Sequence, residues 1–179
     1  MSNTSHAPPP LYTPEQKLRR DGSAWTWVQG VLAPFQFLVF LVSLGLVMRF
    51  LITGEGAQWA LWSVVVKTVV LYTIMVTGCI WEKVVFDQYL FAPAFYWEDV
   101  FSMLVLALHS AYLYVWFNNV LDTAQQLWLA LAAYAAYCIN AGQFLYKLRL
   151  ARLQHSQHSP PSEPPVPQDG AAWPTERVA

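Results

Sequence analysis

Four stretches of the chain are apolar for long enough to cross a bilayer, and polar segments marked by glycine or proline separate them. The first runs from Val31 to about Ile52 and contains VLAPFQFLVFLVSLGLV. A hydrocarbon layer of ~30 Å needs about 20 helical residues, so this run is predicted to span it. Pro34 is expected in its first turn, where a missing N–H does no harm. The glycine-marked ITGEGAQ (52–58) is a turn. A second run covers about 59–86, a third about 97–117 and a fourth about 126–148, with Pro93 and the loop NNVLDTAQ (118–125) interrupting them. Hydrocarbon cannot satisfy free backbone groups, so each span is predicted to be a helix. The expected fold is all-α: an integral membrane protein with four transmembrane helices in a bundle over residues 31–148. Residues 1–30 form a polar N-terminal segment without the basic head and immediate apolar core of a signal peptide. Residues 154–179 form a Pro-rich tail expected to be disordered.

Composition supports this. The chain is 56% hydrophobic and 12% charged, with nine Trp, about half the charged fraction of a soluble domain. A net charge of −1 provides no basic face for nucleic acid. Cys79 and Cys138 lie within apolar runs and are expected to stay free thiols. Basic residues set the orientation: Lys17, Arg19, Arg20, Lys83, Lys147, Arg149 and Arg152 fall on one side of a four-span topology. Arg49, with Lys67, falls toward the other. The positive-inside rule then places both termini in the cytoplasm. No Gly-rich phosphate loop, HExxH or CxxC occurs. Only His109 among four histidines lies in an apolar run, which argues against a bis-histidine haem.

Residues 81–99, WEKVVFDQYLFAPAFYWED, break the pattern by gathering four acids and one lysine among seven aromatic rings. At helical spacing Tyr72, Met75, Cys79, Glu82 and Phe86 share a face, as do Glu98, Ser102, Val105, His109 and Tyr112. On the last run Ala133, Ala136, Asn140, Gln143 and Lys147 align, and small residues there favour close packing. Folded together, these faces make a pocket that is polar at its cytoplasmic end. Plainer readings stand beside this one. Tryptophan and tyrosine near span ends are often interfacial anchors, and the acids suit headgroup level. Lys67 and Arg49 are expected to snorkel to the far interface. Gln36, Asn140 and Gln143 read as interhelical glue, and His109 as either a packed neutral histidine or a working group.

LYTPEQ with RRD (11–21), VQGVLAPFQFLVFLVSLGLV (28–47), VVVKT and LYTIMVTG (64–78), WEKVVF (81–86), YLFAPAFYWEDVFSMLVLALHSAYL (89–113) and YCINAGQFLYKLRLARL (137–153) resemble the 3-vinyl bacteriochlorophyllide hydratases, called 2-vinyl in an older ring numbering. The resemblance covers about residues 11–153. It implies an enzyme of bacteriochlorophyll synthesis in the inner (cytoplasmic or intracytoplasmic photosynthetic) membrane of a phototrophic bacterium. Such enzymes add water to the C3 vinyl group of chlorophyllide a or a related bacteriochlorophyllide. Its implied partners are that pigment, membrane lipid and other pigment-biosynthesis enzymes, and no cofactor is implied.

Residue roles come from the chemistry. Hydration protonates the vinyl CH2, builds positive charge next to the macrocycle, and delivers water to that carbon. It therefore needs a protonated acid, a base and a dry cavity. Burial among rings and crowding by like charges keep one carboxyl protonated while another stays ionised. Glu82 and Glu98, each in a W-E-x-V repeat, are the leading acid/base pair, with Asp87 and Asp99 in support. His109 is a further catalytic candidate, either to ligate the substrate's magnesium or to relay a proton; no intrinsic metal site is expected. Trp81, Tyr89, Phe91, Phe95, Tyr96, Trp97 and Asn140 are expected to line the substrate cavity. Lys83, Lys147 or Arg149 would meet the propionate. A non-catalytic pigment carrier needs the same cavity without a carboxyl near the vinyl group, and a small transporter would use Lys67, His109 and Asn140 as a polar path.

Overall fold

The computed structural model describes residues 11–157, with side-chain surroundings over residues 11–150, and is entirely helical there. Five helices occur in order: α1 (Pro14–Gly22), α2 (Ala24–Thr53), α3 (Ala57–Phe86), α4 (Tyr96–Asn118) and α5 (Thr123–Gln157).

Capping chemistry explains the boundaries. Thr13 Oγ1 accepts from the Gln16 N–H at 3.2 Å while Gln16 Oε1 accepts from the Thr13 N–H at 2.9 Å, and Pro14 follows at the first helical position. This reciprocal capping box makes α1 a helix inside the segment read as merely polar. Its apolar periodicity is absent, and none of its residues is buried. Ser23 closes α1 and also caps α2, its Oγ accepting from the Trp25 N–H. The first long helix therefore begins at Ala24, earlier than the apolar run. Pro34 consequently lies inside α2 rather than in a first turn, and the Gly30 carbonyl lacks the N–H that position would normally donate. Gly54 and Gly56, both left-handed at φ 74° and 81°, make the turn into α3. Asp122 Oδ1 accepts from the Gln125 N–H at 2.8 Å and opens α5. That helix continues through Gln157, so residues 154–157 are helical. The rest of the expected disordered tail lies outside the described residues.

Three helices, Ala24–Thr53, Ala57–Phe86 and Tyr96–Asn118, are long and apolar enough to cross a membrane. Pairings show two antiparallel hairpins. Thr26 meets Trp81, Gln29 meets Thr77 and Ser43 meets Ser63 along α2 and α3. Ser102 meets Asn140 and Glu98 meets Lys147 along α4 and α5. The hairpins cross through Phe40, whose ring lies 5.3 Å from Tyr134 and 5.0 Å from Tyr137, and through Tyr112, whose hydroxyl donates to the Leu61 carbonyl. Outward faces expose Leu38, Val42, Val66, Val69 and Val76, the apolar exterior that lipid requires.

Lys67 departs from expectation. Instead of snorkelling it is 0% exposed, with Nζ 2.6 Å from His109 Nε2 and 4.3 Å from the centre of the Tyr137 ring. The crossing hairpins surround it at a depth its side chain cannot escape, and imidazole nitrogen and aromatic faces replace water. His109 Nδ1 lies 2.8 Å from the Val105 carbonyl, so Nδ1 is the donor there and Nε2 the acceptor. Lys67→Met strips Nε2 of its donor and is expected to cost about 1–3 kcal/mol, read as a lower Tm in detergent. An unchanged Tm would mean that Nε2 finds another donor.

Candidate active site

The acid–aromatic segment becomes the last turn of α3, a loop over 87–95, and the first turn of α4. Asp87, at φ 65°, ends α3, its N–H donating to the Lys83 carbonyl. Phe91 is also left-handed, at φ 60°, an uncommon state for a bulky residue. That turn aims the Phe91 N–H inward, where it donates to Asp99 Oδ2 at 2.7 Å. Phe95 then caps α4 with its N–H on the Ala92 carbonyl.

The loop therefore brings Glu82 and Asp99 together. They are 6% and 3% exposed, and their carboxyl groups are neighbours. Two carboxyls buried side by side can hydrogen-bond only when one holds a proton, since ionised carboxylates only accept. Glu82 Oε2 accepts from no protein donor among the described residues, as suits the oxygen that carries the hydrogen. The arrangement is two neighbouring carboxyls screened from water.

Glu98 points elsewhere. It is 7% exposed and its Oε2 accepts from Lys147 Nζ at 2.6 Å, an ion pair to α5. Asp87 is exposed and paired with Lys83 at 2.8 Å. The lysine's hydrogen bond and charge hold that carboxyl below the usual carboxylate range. His109 lies ten residues beyond Asp99 on α4, about 15 Å deeper. Both its ring nitrogens are committed to Lys67 and Val105. Asn140, 9% exposed, donates from Nδ2 to Ser102 Oγ at 2.9 Å.

The expected cavity-lining rings divide into two groups. Phe95, 2% exposed, is a plug: Trp81 and Phe86 stand edge-on to it at 5.8 and 5.7 Å, and Phe144 stacks at 5.9 Å. Tyr89, Phe91, Tyr96 and Trp97 are exposed, and Phe91–Tyr96 and Tyr96–Trp97 touch at 5.7 and 5.6 Å. They form an aromatic shelf beside the acid pair.

Sequence reasoning missed three contributors. They are Tyr12, which stacks on Phe86 at 5.7 Å under the Arg20 guanidinium, Thr26, whose Oγ1 accepts from Trp81 Nε1, and Phe144, which backs Phe95. The capping motif TPEQ was the available signal that residues before Val31 are ordered. A groove of ≈ 400 Å³ lies between α2 and α3, walled by Trp59 and Trp62. It sits at the opposite end of these helices and is lined without an acid or base, so it does not supply hydration chemistry.

The 2-vinyl bacteriochlorophyllide hydratase (BCHF) family profile matches residues 12–150. A 2-vinyl bacteriochlorophyllide hydratase of Rhodobacter capsulatus is 65% identical over 144 residues, covering 80% of this chain and 84% of that protein. Its counterpart from Cereibacter sphaeroides is 63% identical over 155 residues, covering 86% and 96%. No solved structure matches. The matched region contains the acid pair and all of the bundle but the end of α5: the chain belongs to the 2-vinyl bacteriochlorophyllide hydratase family.

Proposed function

We propose that this protein is a hydro-lyase that adds water across the C3 vinyl group of chlorophyllide a or a 3-vinyl bacteriochlorophyllide, giving the 1-hydroxyethyl pigment of bacteriochlorophyll synthesis. The observation that carries the mechanism is the buried, neighbouring carboxyl pair Glu82–Asp99.

Asp99 sits in the first turn of α4 and accepts from Phe91 N–H, so helix dipole and hydrogen bond both favour its ionised form. Glu82 lies in the last turn of α3, at the negative end of that helix, and keeps the proton. The vinyl π electrons take that proton onto the terminal carbon, leaving a cation on the carbon joined to the macrocycle. Two neighbouring carboxylates now stabilise the cation by charge. Water attacks it, and the proton lost from that water returns to the pair. One proton is donated and one recovered, so the site is ready for another turnover.

The exposed shelf of Phe91, Tyr96 and Trp97 presents ring faces to a planar macrocycle entering from the bilayer. Lys83 and Arg149, at the same end, suit its propionate. This layout fits α5 as a fourth span, with both termini and the acid site on the cytoplasmic side of the photosynthetic membrane, where basic residues concentrate.

The test is to incubate the purified protein with chlorophyllide a and no added cofactor, followed by absorption and mass analysis. A product heavier by one water and lacking vinyl conjugation is expected. Bound pigment of unchanged mass, across chlorin and bacteriochlorin substrates, would overturn the hydratase reading in favour of a carrier.

A further inference from the structure

One turn inward from the acid pair lies a polar cluster that proton transfer does not use. Asn140, Gln143 and Lys147 recur at helical spacing on one face of α5. Both ends of this row are pinned to α4: Asn140 Nδ2 donates to Ser102 Oγ at 2.9 Å, and Lys147 donates to Glu98 at 2.6 Å. Gln143, between them, therefore faces the opening turns of α4, which carry Asp99. Asn140 is nine-tenths buried, yet its Oδ1 accepts no hydrogen bond from the described residues, and neither does the buried Oε1 of Gln143. Interhelical glue accounts for the Asn140 amide nitrogen but not for these two oxygens. A buried acceptor left without a donor is destabilising, so this pair calls for a ligand that brings O–H or N–H groups.

The substrate's chemistry narrows the choice. A magnesium macrocycle has no ring N–H, its vinyl group is hydrocarbon, and its propionate is ionised at neutral pH. It offers these oxygens no donor. Water offers two, and the product's new hydroxyl offers one. We infer that Asn140 Oδ1 and Gln143 Oε1 hold the attacking water and then the hydroxyl of the product, an inference that rests on the hydratase reading. Ser102 and Asn140 stand about 5 Å deeper than Asp99, one helical turn. From there the water approaches one face of the vinyl carbon while the acid pair serves its terminus. Both amides are positioning residues. They act on water and not on the transferred proton.

Substrate and product differ here by one donor, and that difference supplies the test. Tryptophan quenching gives the Kd of the full-length protein for chlorophyllide a and for its 1-hydroxyethyl product, and chromatography gives the ratio of the two carbinol epimers. The variants are Asn140→Leu and Gln143→Met; the latter is a similar-length change at a half-buried position and keeps the test available if Asn140→Leu misfolds. Affinity for the vinyl pigment should be unchanged, while affinity for the product falls ~3–10-fold with the lost hydrogen bond. The epimer ratio should move toward equality as water loses its preferred face. Equal weakening of both pigments would reveal a merely structural role and overturn the inference, as would unchanged product affinity and epimer ratio. A wild-type protein that binds vinyl pigment without hydrating it would instead remove the underlying reading, and this inference with it.

Discussion

Glu82→Gln is expected to lower kcat for vinyl hydration by ~10²–10⁴-fold with little change in KM, the loss that follows removal of a positioned proton donor. Asp99→Asn should act similarly, because Glu82 then loses the anionic partner that receives the proton from water. The two changes together should cost little more than either alone, since each already disables a group that works as a unit. Asp87→Asn is the control: Asp87 is exposed, and Lys83 keeps it ionised, so turnover should be unchanged. Full activity in folded Glu82→Gln would remove Glu82 as the acid. Full activity in Asp99→Asn would show that the carboxyl pair is not the unit of catalysis.

Lys147→Met carries the largest expected effect on stability. Glu98 is 7% exposed and ion-paired with Lys147 at 2.6 Å. Removing the lysine leaves a carboxylate in an apolar surrounding without its counter-ion. Breaking a buried pair from one side costs about 3–5 kcal/mol. The lower end applies here, because the Lys147 side chain is 25% exposed and water can partly replace it. The double change Lys147→Met with Glu98→Gln removes both charges and should regain most of the loss. Thermal unfolding in detergent is the readout. A single variant as stable as the parent would mean that the Glu98 carboxyl does not need that lysine.

The two glutamates illustrate where sequence reading stopped. Their matching W-E-x-V surroundings made Glu82 and Glu98 look like partners across a cavity. The left-handed turn at Phe91 and the cap at Phe95 set the rotation of α4. Asp99 consequently faces α3, and its neighbour Glu98, about 100° around the helix, faces α5. A one-residue difference in rotation decides which acid meets Glu82. Helical spacing alone cannot supply that rotation, because it relates residues within one helix and not between two. The same spacing was sound within each helix: Glu98, Ser102, Val105, His109 and Tyr112, placed on one face of the third run, are all buried. Lys67 shows the other limit. Snorkelling assumes a side chain on the lipid-facing side of its helix, whereas Lys67 lies on the inward face of α3, where it meets His109.

Long apolar runs, glycine turns and an acid–aromatic island were enough to determine an all-helical chain, with helices apolar enough to cross a membrane over the first three of its four runs. These features act locally, through hydrogen bonding within each helix and exclusion of charge from hydrocarbon. The tertiary structure alone decided which acids meet, which lysine is buried and which amide oxygens lack donors. Those outcomes depend on the rotation and crossing of whole helices, which packing between distant segments determines.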